Sequence, residues 1–244
     1  MKTIVLTGDS RGVGINIAEK LLESGFRVVG LSRSSTIEIE KLIEKYGEDN
    51  YTHIDYDLSN VEGIKTLYKR KLRSLTKGNG IYGLVNNAAV AYDDIITNLD
   101  LTSLSNMFRV NVYSPMMLTK YVLRDMLLNK VKGTIIHISS ISAHTGYKGL
   151  AMYASTKGAI EAFSKNTARE WGAIGVRSNI VCPGFMDTEM SSGLTDDQKN
   201  RIFNRNSLKK PVEVEAVSDT VLFLIKDSAQ GITGQTLHVD NGTI

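Results

Sequence analysis

Short runs of continuous apolar residues alternate along the chain with longer stretches of helical period. The run KTIVLT from Lys2 breaks at Gly8-Asp9-Ser10-Arg11-Gly12-Val13-Gly14 and continues as INIAEKLLESG, where Ile15, Ala18, Leu21 and Leu22 share a helix face and Glu19, Lys20 and Glu23 stay outside. Gly25 ends that helix. FRVVGL, YTHIDYDLS, IYGLV, GTIIHISS and VRSNIVC repeat the apolar run, and helical stretches from Thr36 to Tyr46, from Leu101 to Lys130 and onward from Tyr153 fill the intervals. Ser59 and Glu62 have the spacing of a capping box for the helix after the third strand. Pro115 predicts a kink in the long helix, and Pro211 predicts the first position of a late one. Strands buried on both faces, each followed by a helix, predict a doubly wound parallel α/β fold with its ligand at the strand C-termini.

Composition narrows this little further. The 244 residues suit one undivided domain spanning 1–244, with three prolines and no low-complexity linker or repeat. The 29 basic and 26 acidic side chains give a net charge of +3, scattered in both signs, which offers nothing to nucleic acid. Cys182 is the only cysteine, so no internal disulfide can form. With no apolar stretch of membrane-spanning length and no signal-peptide pattern, a cytoplasmic location is expected.

Glycines at the first strand-to-helix junction let the backbone turn tightly beside a ligand, and the N–H groups opening the helix attract a diphosphate. Gly8, Ser10, Arg11, Gly12, Val13 and Gly14 are therefore candidate cofactor ligands. At the end of the second strand, where an acidic residue would accept from a ribose 2′-hydroxyl, the sequence has Ser32 and Arg33. Together with Arg11, this favours a 2′-phosphate and hence NADP(H).

The strongest chemical signal is Tyr153-Ala154-Ser155-Thr156-Lys157, thirteen residues after the serine-ended strand that closes on Ser139 and Ser140. Tyr153 and Lys157 are one helical turn apart and face the same substrate. A phenol with a pKa of ~10 is a poor proton donor and acceptor at neutral pH. One cation about 4 Å away, at an effective dielectric near 20, is worth roughly 4 kcal/mol and would bring the phenol towards neutrality. Ser140 would stabilise charge developing on a carbonyl oxygen, with Ser139 facing away. No nucleophile elbow surrounds either serine, and His137, His144 and His238 lack metal-ligand spacing, so no metal is expected. His53 reads as a strand side chain.

Thr7 with G-x-x-x-G-x-G, Asn86-Asn87-Ala88-Ala89, Asn111, the serine-tyrosine-lysine set and Pro183-Gly184-Phe185-Met186-Asp187-Thr188 together resemble the short-chain dehydrogenase/reductase family over essentially the whole chain. Within it, S-R-G-V-G, Y-A-S-T-K-G-A, P-G-F-M-D-T-E-M and I-T-G-Q-T-L-H-V are most similar to 3-oxoacyl-ACP reductases. The one departure is Ala89, where the family has glycine. The resemblance implies seven strands in the order 3-2-1-4-5-6-7 and reversible hydride transfer between NADPH and a ketone, with a 3-oxoacyl thioester as first choice of substrate. It implies that Asp57 and Leu58 bind adenine, that Asn87 supports the cofactor, and that Pro183, Gly184, Met186 and Thr188 line the nicotinamide end. Asn111 would hold a water beside Lys157, and residues 191–210 would form a lid. Relatives usually form tetramers through helices corresponding to Asn111–Asn129 and Tyr153–Trp171. Acyl carrier protein is a candidate partner, although its two arginine contacts fall here on Val131 and Ile174, with Lys130, Lys132, Arg169 and Arg177 nearby. Another ketone, secondary alcohol or sugar is the alternative substrate. A catalytically idle NADP(H)-binding sensor is a more distant alternative.

Overall fold

The computed structural model describes residues 1–76, 78–187 and 195–244. Its centre is a parallel sheet formed by β1 (Thr3–Thr7), β2 (Arg27–Ser32), β3 (Tyr51–Asp55), β4 (Ile81–Asn86), β5 (Thr134–Ile138), β6 (Arg177–Pro183) and β7 (Thr236–Val239). The order is β3-β2-β1-β4-β5-β6-β7, as the sequence leads one to expect. Every residue of β1, β2, β4, β5 and β6 is buried, which explains their continuous apolar runs: both faces carry helices.

One face is covered by α1 (Gly12–Glu23), α2 (Ile37–Tyr46) and α9 (Val214–Ile225), which pack Ile17, Leu21, Ile39, Val217, Val221 and Leu224 onto the strands. The buried face of α1 is set by Ile17, Ala18, Leu21 and Leu22. Ile15 is only partly buried and Ile17 takes its place, a small rotation of the face that spacing predicts. The other face carries α3 (Ile64–Leu67), a π-helical turn (Tyr68–Leu72), α4 (Arg73–Leu75) and α6 (Ser114–Leu128), which enclose Leu67, Leu72, Leu118 and Val122. α7 (Ala151–Trp171) lies against β6.

Three local expectations are corrected. Ser59 and Glu62 form no capping box: Asn60 accepts from the Gly63 N–H, the helix begins at Ile64, and Glu62 pairs with Arg109 instead. Pro211 does not open α9, whose N-cap is Glu213. Pro115 does not kink an α-helix. α5 (Leu101–Phe108) widens into a π turn, Arg109–Tyr113, and Pro115 then enters the first turn of α6. Because Pro115 has no N–H to return to the carbonyl four residues earlier, that carbonyl, on Asn111, loses its ordinary α-helical partner.

Candidate active site

The strand order reverses between β1 and β4, so their C-terminal ends diverge and open a crevice. Thr7, the last residue of β1, closes its base: its Oγ1 accepts from the N–H groups of Asn87 and Ala88 at 3.0 and 3.1 Å. The Asn87 amide donates to the carbonyls of Thr7 and Gly8 at 3.1 and 3.0 Å. Asn87 thus braces the glycine loop from below, whichever residue stands at position 89.

Close approach requires glycine at position 14, because a Cβ there would lie 1.8 Å from the Gly8 carbonyl oxygen. Ser10 is tied in by its carbonyl, which accepts from Thr36 Oγ1 at 3.0 Å, and Arg11 is the exposed, extended N-cap of α1. The loop thus packs tightly at Gly8 and Gly14 and leaves the space beside Gly12 open, and with the N–H groups that begin α1 the residues fit the diphosphate of a dinucleotide. Arg33 is exposed at the end of β2. Asp57 caps its own turn by accepting from the Ser59 N–H at 2.8 Å, while Leu58 is buried beside it.

Sequence reasoning did not single out the group beneath this loop. The Asp9 carboxylate is fully buried and accepts from Tyr51 Oη and His53 Nδ1, both at 2.8 Å, and His53 Nε2 lies 3.1 Å from Asp55. Burial alone would lower the His53 pKa, but the hydrogen bonds and charges of Asp9 and then Asp55 outweigh it and raise the pKa above the ordinary value. Gly30 makes room, since a Cβ there would lie 1.7 Å from Asp9 Oδ2. The available signal was a carboxylate placed among loop glycines, followed by a histidine in an otherwise apolar strand.

On the other side of the crevice, Ser140 follows β5 and N-caps the short 3₁₀ turn Ile141–Ala143, accepting from the Ser142 N–H at 3.2 Å. Its hydroxyl also acts on the Tyr153 phenol, favouring the ionised form. Ser139 does face away, and its hydroxyl donates to Glu161, another buried residue that sequence reasoning missed. Lys157 Nζ sits 5.4 Å from the centroid of the Tyr153 ring and donates to the Ile138 carbonyl at 2.8 Å. Burial lowers the Lys157 pKa to about 8, against the raising influence of Cys182 and Glu161.

The expected near-neutral phenol is not found in the chain alone. Burial, then the charges of Asp93 and Cys182, push the Tyr153 pKa up, and only the hydrogen bond from Ser140 works against them. Asn111 also differs from a simple water ligand. Its Oδ1 accepts from the Val90 N–H at 2.9 Å, and its amide donates to the Val90 carbonyl at 2.8 Å and to Thr156 Oγ1 at 3.1 Å. The side chain is thus committed to joining the π turn to α7.

Pro183 ends β6, and the Gly184 N–H donates to the Val239 carbonyl at 2.9 Å, which holds the start of the following segment beside the end of β7. Thr188 lies outside the described residues, as do positions 191–194 of the expected lid. The rest of that stretch includes α8 (Asp196–Phe203). His137 is buried against Asn86, 3.1 Å away, and is held neutral, its pKa lowered to about 3 by burial and then Lys157. Arg177, one of the candidate partner contacts, is buried and donates to the Ile232 carbonyl at 3.5 Å, whereas Arg169 is exposed on α7. Among the described residues, no helix is long and apolar enough to cross a membrane.

Residues 8–243 match a family model described as enoyl-(acyl carrier protein) reductase. The 3-oxoacyl-[acyl-carrier-protein] reductase FabG of Buchnera aphidicola subsp. Acyrthosiphon pisum is 34% identical, with 99% of this chain and 96% of the relative covered. The enzyme of the same name from Escherichia coli strain K12 is 32% identical over the same shares. Among solved structures, 4-hydroxyisoleucine dehydrogenase complexed with NADH superposes with a TM-score of 0.91 at 25% identity, covering all of this chain and 98% of the other. A blue fluorescent protein from a metagenomic library, in complex with NADPH, superposes at 0.89, also at 25% identity, over 99% and 97%. With the glycine-loop crevice, the parallel sheet and these near full-length matches in agreement, the chain belongs to the short-chain dehydrogenase/reductase family of oxidoreductases.

Proposed function

We propose that the protein is a cytoplasmic NADPH-dependent reductase that converts a ketone, foremost a 3-oxoacyl thioester, to a secondary alcohol. The observation that carries this reading is the convergence of the Tyr153 phenol, whose ionised form the Ser140 hydroxyl favours, with a buried lysine whose Nζ lies 5.4 Å from the centroid of the phenol ring. Two O–H donors suit a carbonyl oxygen that gains charge and then a proton. Reduction of an enoyl double bond would instead need the proton at carbon.

The bound cofactor would supply hydride to the carbonyl carbon. Ser140 holds the carbonyl oxygen and stabilises its developing charge. Tyr153 delivers the proton from Oη to that oxygen, and its raised pKa keeps it loaded for this direction at neutral pH. Lys157 would bind ribose and, through a water on the Asn111 carbonyl, return a proton to the phenol. Gly8, Ser10, Gly12, Val13 and Gly14 would hold the diphosphate, and Arg11 and Arg33 the 2′-phosphate. Asp57 and Leu58 would take the adenine, and Pro183, Gly184, Met186 and Thr188 the nicotinamide end. Relatives named for acyl-carrier-protein substrates support the thioester choice.

The test follows NADPH oxidation with a 3-oxoacyl chain on carrier protein, with a small 3-oxoacyl thioester, and with a panel of free ketones and sugars. Turnover with the thioesters, and a loss of about 10²–10⁴-fold in Tyr153→Phe, is expected. Turnover only with the free ketones or sugars would establish the second reading, reduction of another ketone or oxidation of a secondary alcohol. That reading is favoured by exposed Ile174 and by Val131 at the positions where a carrier protein's acidic face would need arginine, and by the burial of Arg177. The Lys132 side chain lies along Gly175, next in sequence to Ile174.

A further inference from the structure

Three groups that the proposed reaction does not use converge behind the catalytic helix. His144 ends the 3₁₀ turn that follows Ser140, Cys182 lies on β6, and His238 lies on β7 directly across the ladder from Cys182. One ligand atom from each falls within 4.8 Å of the other two. The two imidazoles meet edge to face with centroids 4.8 Å apart, and the cysteine below them is fully buried. Glu161 stands behind His144, with Oε1 3.0 Å from Nε2, and takes a second hydrogen bond from Ser139.

Two imidazoles and a thiol are the donor types that zinc prefers, with bonds of about 2.0–2.1 Å to nitrogen and about 2.3 Å to sulfur. Tetrahedral bonding at those lengths needs donors about 3.5 Å apart, so the set must close by about 1 Å. Rotation of the two histidine side chains at the solvent border can supply that movement, since the His144 side chain is 30% exposed. A carboxylate on the far nitrogen of a histidine is the arrangement that orients metal-binding imidazoles and raises their basicity, and Glu161 occupies that place. We propose that His144, Cys182 and His238 form a Zn²⁺ site, with Glu161 orienting His144 and water completing the tetrahedron.

Without the metal, burial and then the charges of Glu161 and Asp240 push the Cys182 thiol up to about 12, so it is protonated. The same two carboxylates attract a dication. On binding, the S–H bond breaks, the S–Zn bond forms and the proton leaves to solvent. Cys182 and Lys157 influence each other's ionisation, so an occupied site would add positive charge behind Lys157.

The experiment titrates the chelator-treated full-length protein with Zn²⁺ by calorimetry and with Co²⁺ by absorption, and it needs no turnover. One metal per chain and a thiolate-to-cobalt charge-transfer band are expected for the unaltered protein. Cys182→Ser should lose the band, and Cys182→Ser, His238→Ala and His144→Gln should each weaken Zn²⁺ binding by at least about a hundredfold, at or beyond the upper range for outer-shell partners. Circular dichroism melting identifies any variant that fails to fold, and such a variant is replaced in the comparison by the other two. Absence of stoichiometric metal or of the cobalt band in the unaltered protein, or full-strength Zn²⁺ binding in any folded variant, overturns the proposal.

Discussion

At the scale of single residues, the site sets function against stability at Lys157. Its pKa is lowered from 10.5 to about 8 by burial, so keeping the cation in place costs about 3 kcal/mol while the group is charged in both the folded and unfolded chain. The sign follows from the direction of the shift: the cost is complete below about pH 8, fades as pH rises to about 10.5, and is gone above that. Lys157→Met should therefore abolish turnover without lowering the melting temperature at pH 7, because relief of the charge offsets the roughly 1–3 kcal/mol of an unpaired Ile138 carbonyl. Its standing relative to the unaltered protein should fall between pH 8 and pH 10.5. A drop of many degrees at pH 7 would contradict this. Arg33 bears on a different choice. A charge-assisted contact to a 2′-phosphate is worth roughly 1.5–3 kcal/mol, so Arg33→Ala should lose about ten- to a hundredfold in efficiency with NADPH and little with NADH. Equal losses with both cofactors would remove Arg33 from the phosphate site.

At the scale of elements, the junction of α5, the π turn and α6 has the most exacting requirements. Asn111 satisfies both backbone groups of Val90 and the hydroxyl of Thr156, so Asn111→Leu leaves three polar groups without their partner. We expect a loss of about 2–4 kcal/mol in urea unfolding, together with a lower kcat, and a stability change within measurement error would refute the bracing role. The strands were legible in the sequence because every position of β1, β2, β4, β5 and β6 is buried and a parallel sheet leaves no polar face to confuse the period. The π turn was not, since Pro115 signals a broken hydrogen bond without saying whether the helix bends or widens. Nor was the cluster of Asp9, Tyr51 and His53, which exists only because β2 and β3 pair in the register that sets Gly30 beside His53. Spacing could identify Tyr153 and Lys157 as neighbours, but it could not report that Lys157 is buried or that desolvation reverses the expected shift of the phenol.

For the whole molecule, α6 ends on exposed Leu127 and Leu128, Tyr113 is exposed in the π turn, and α7 turns Ala151, Ser155 and Ala162 outward. Helices with small outward residues can approach a second copy closely, and a twofold pairing would bury that surface. Light scattering should therefore give a tetramer that persists on dilution, and Ala162→Arg should reduce it to a smaller species. A monomer at every concentration would end the idea. The central position of β1 has a consequence of another kind, in how the chain comes into being. β1 pairs with β2 on one side, but its other edge must wait for β4, so during synthesis the apolar Thr3–Thr7 segment stays half-covered until Ile81–Asn86 has left the ribosome. The outer strands then add in turn from β5 to β7, each after a long excursion, which predicts slow refolding from denaturant and a nascent chain that depends on being shielded while its first strand lacks a neighbour.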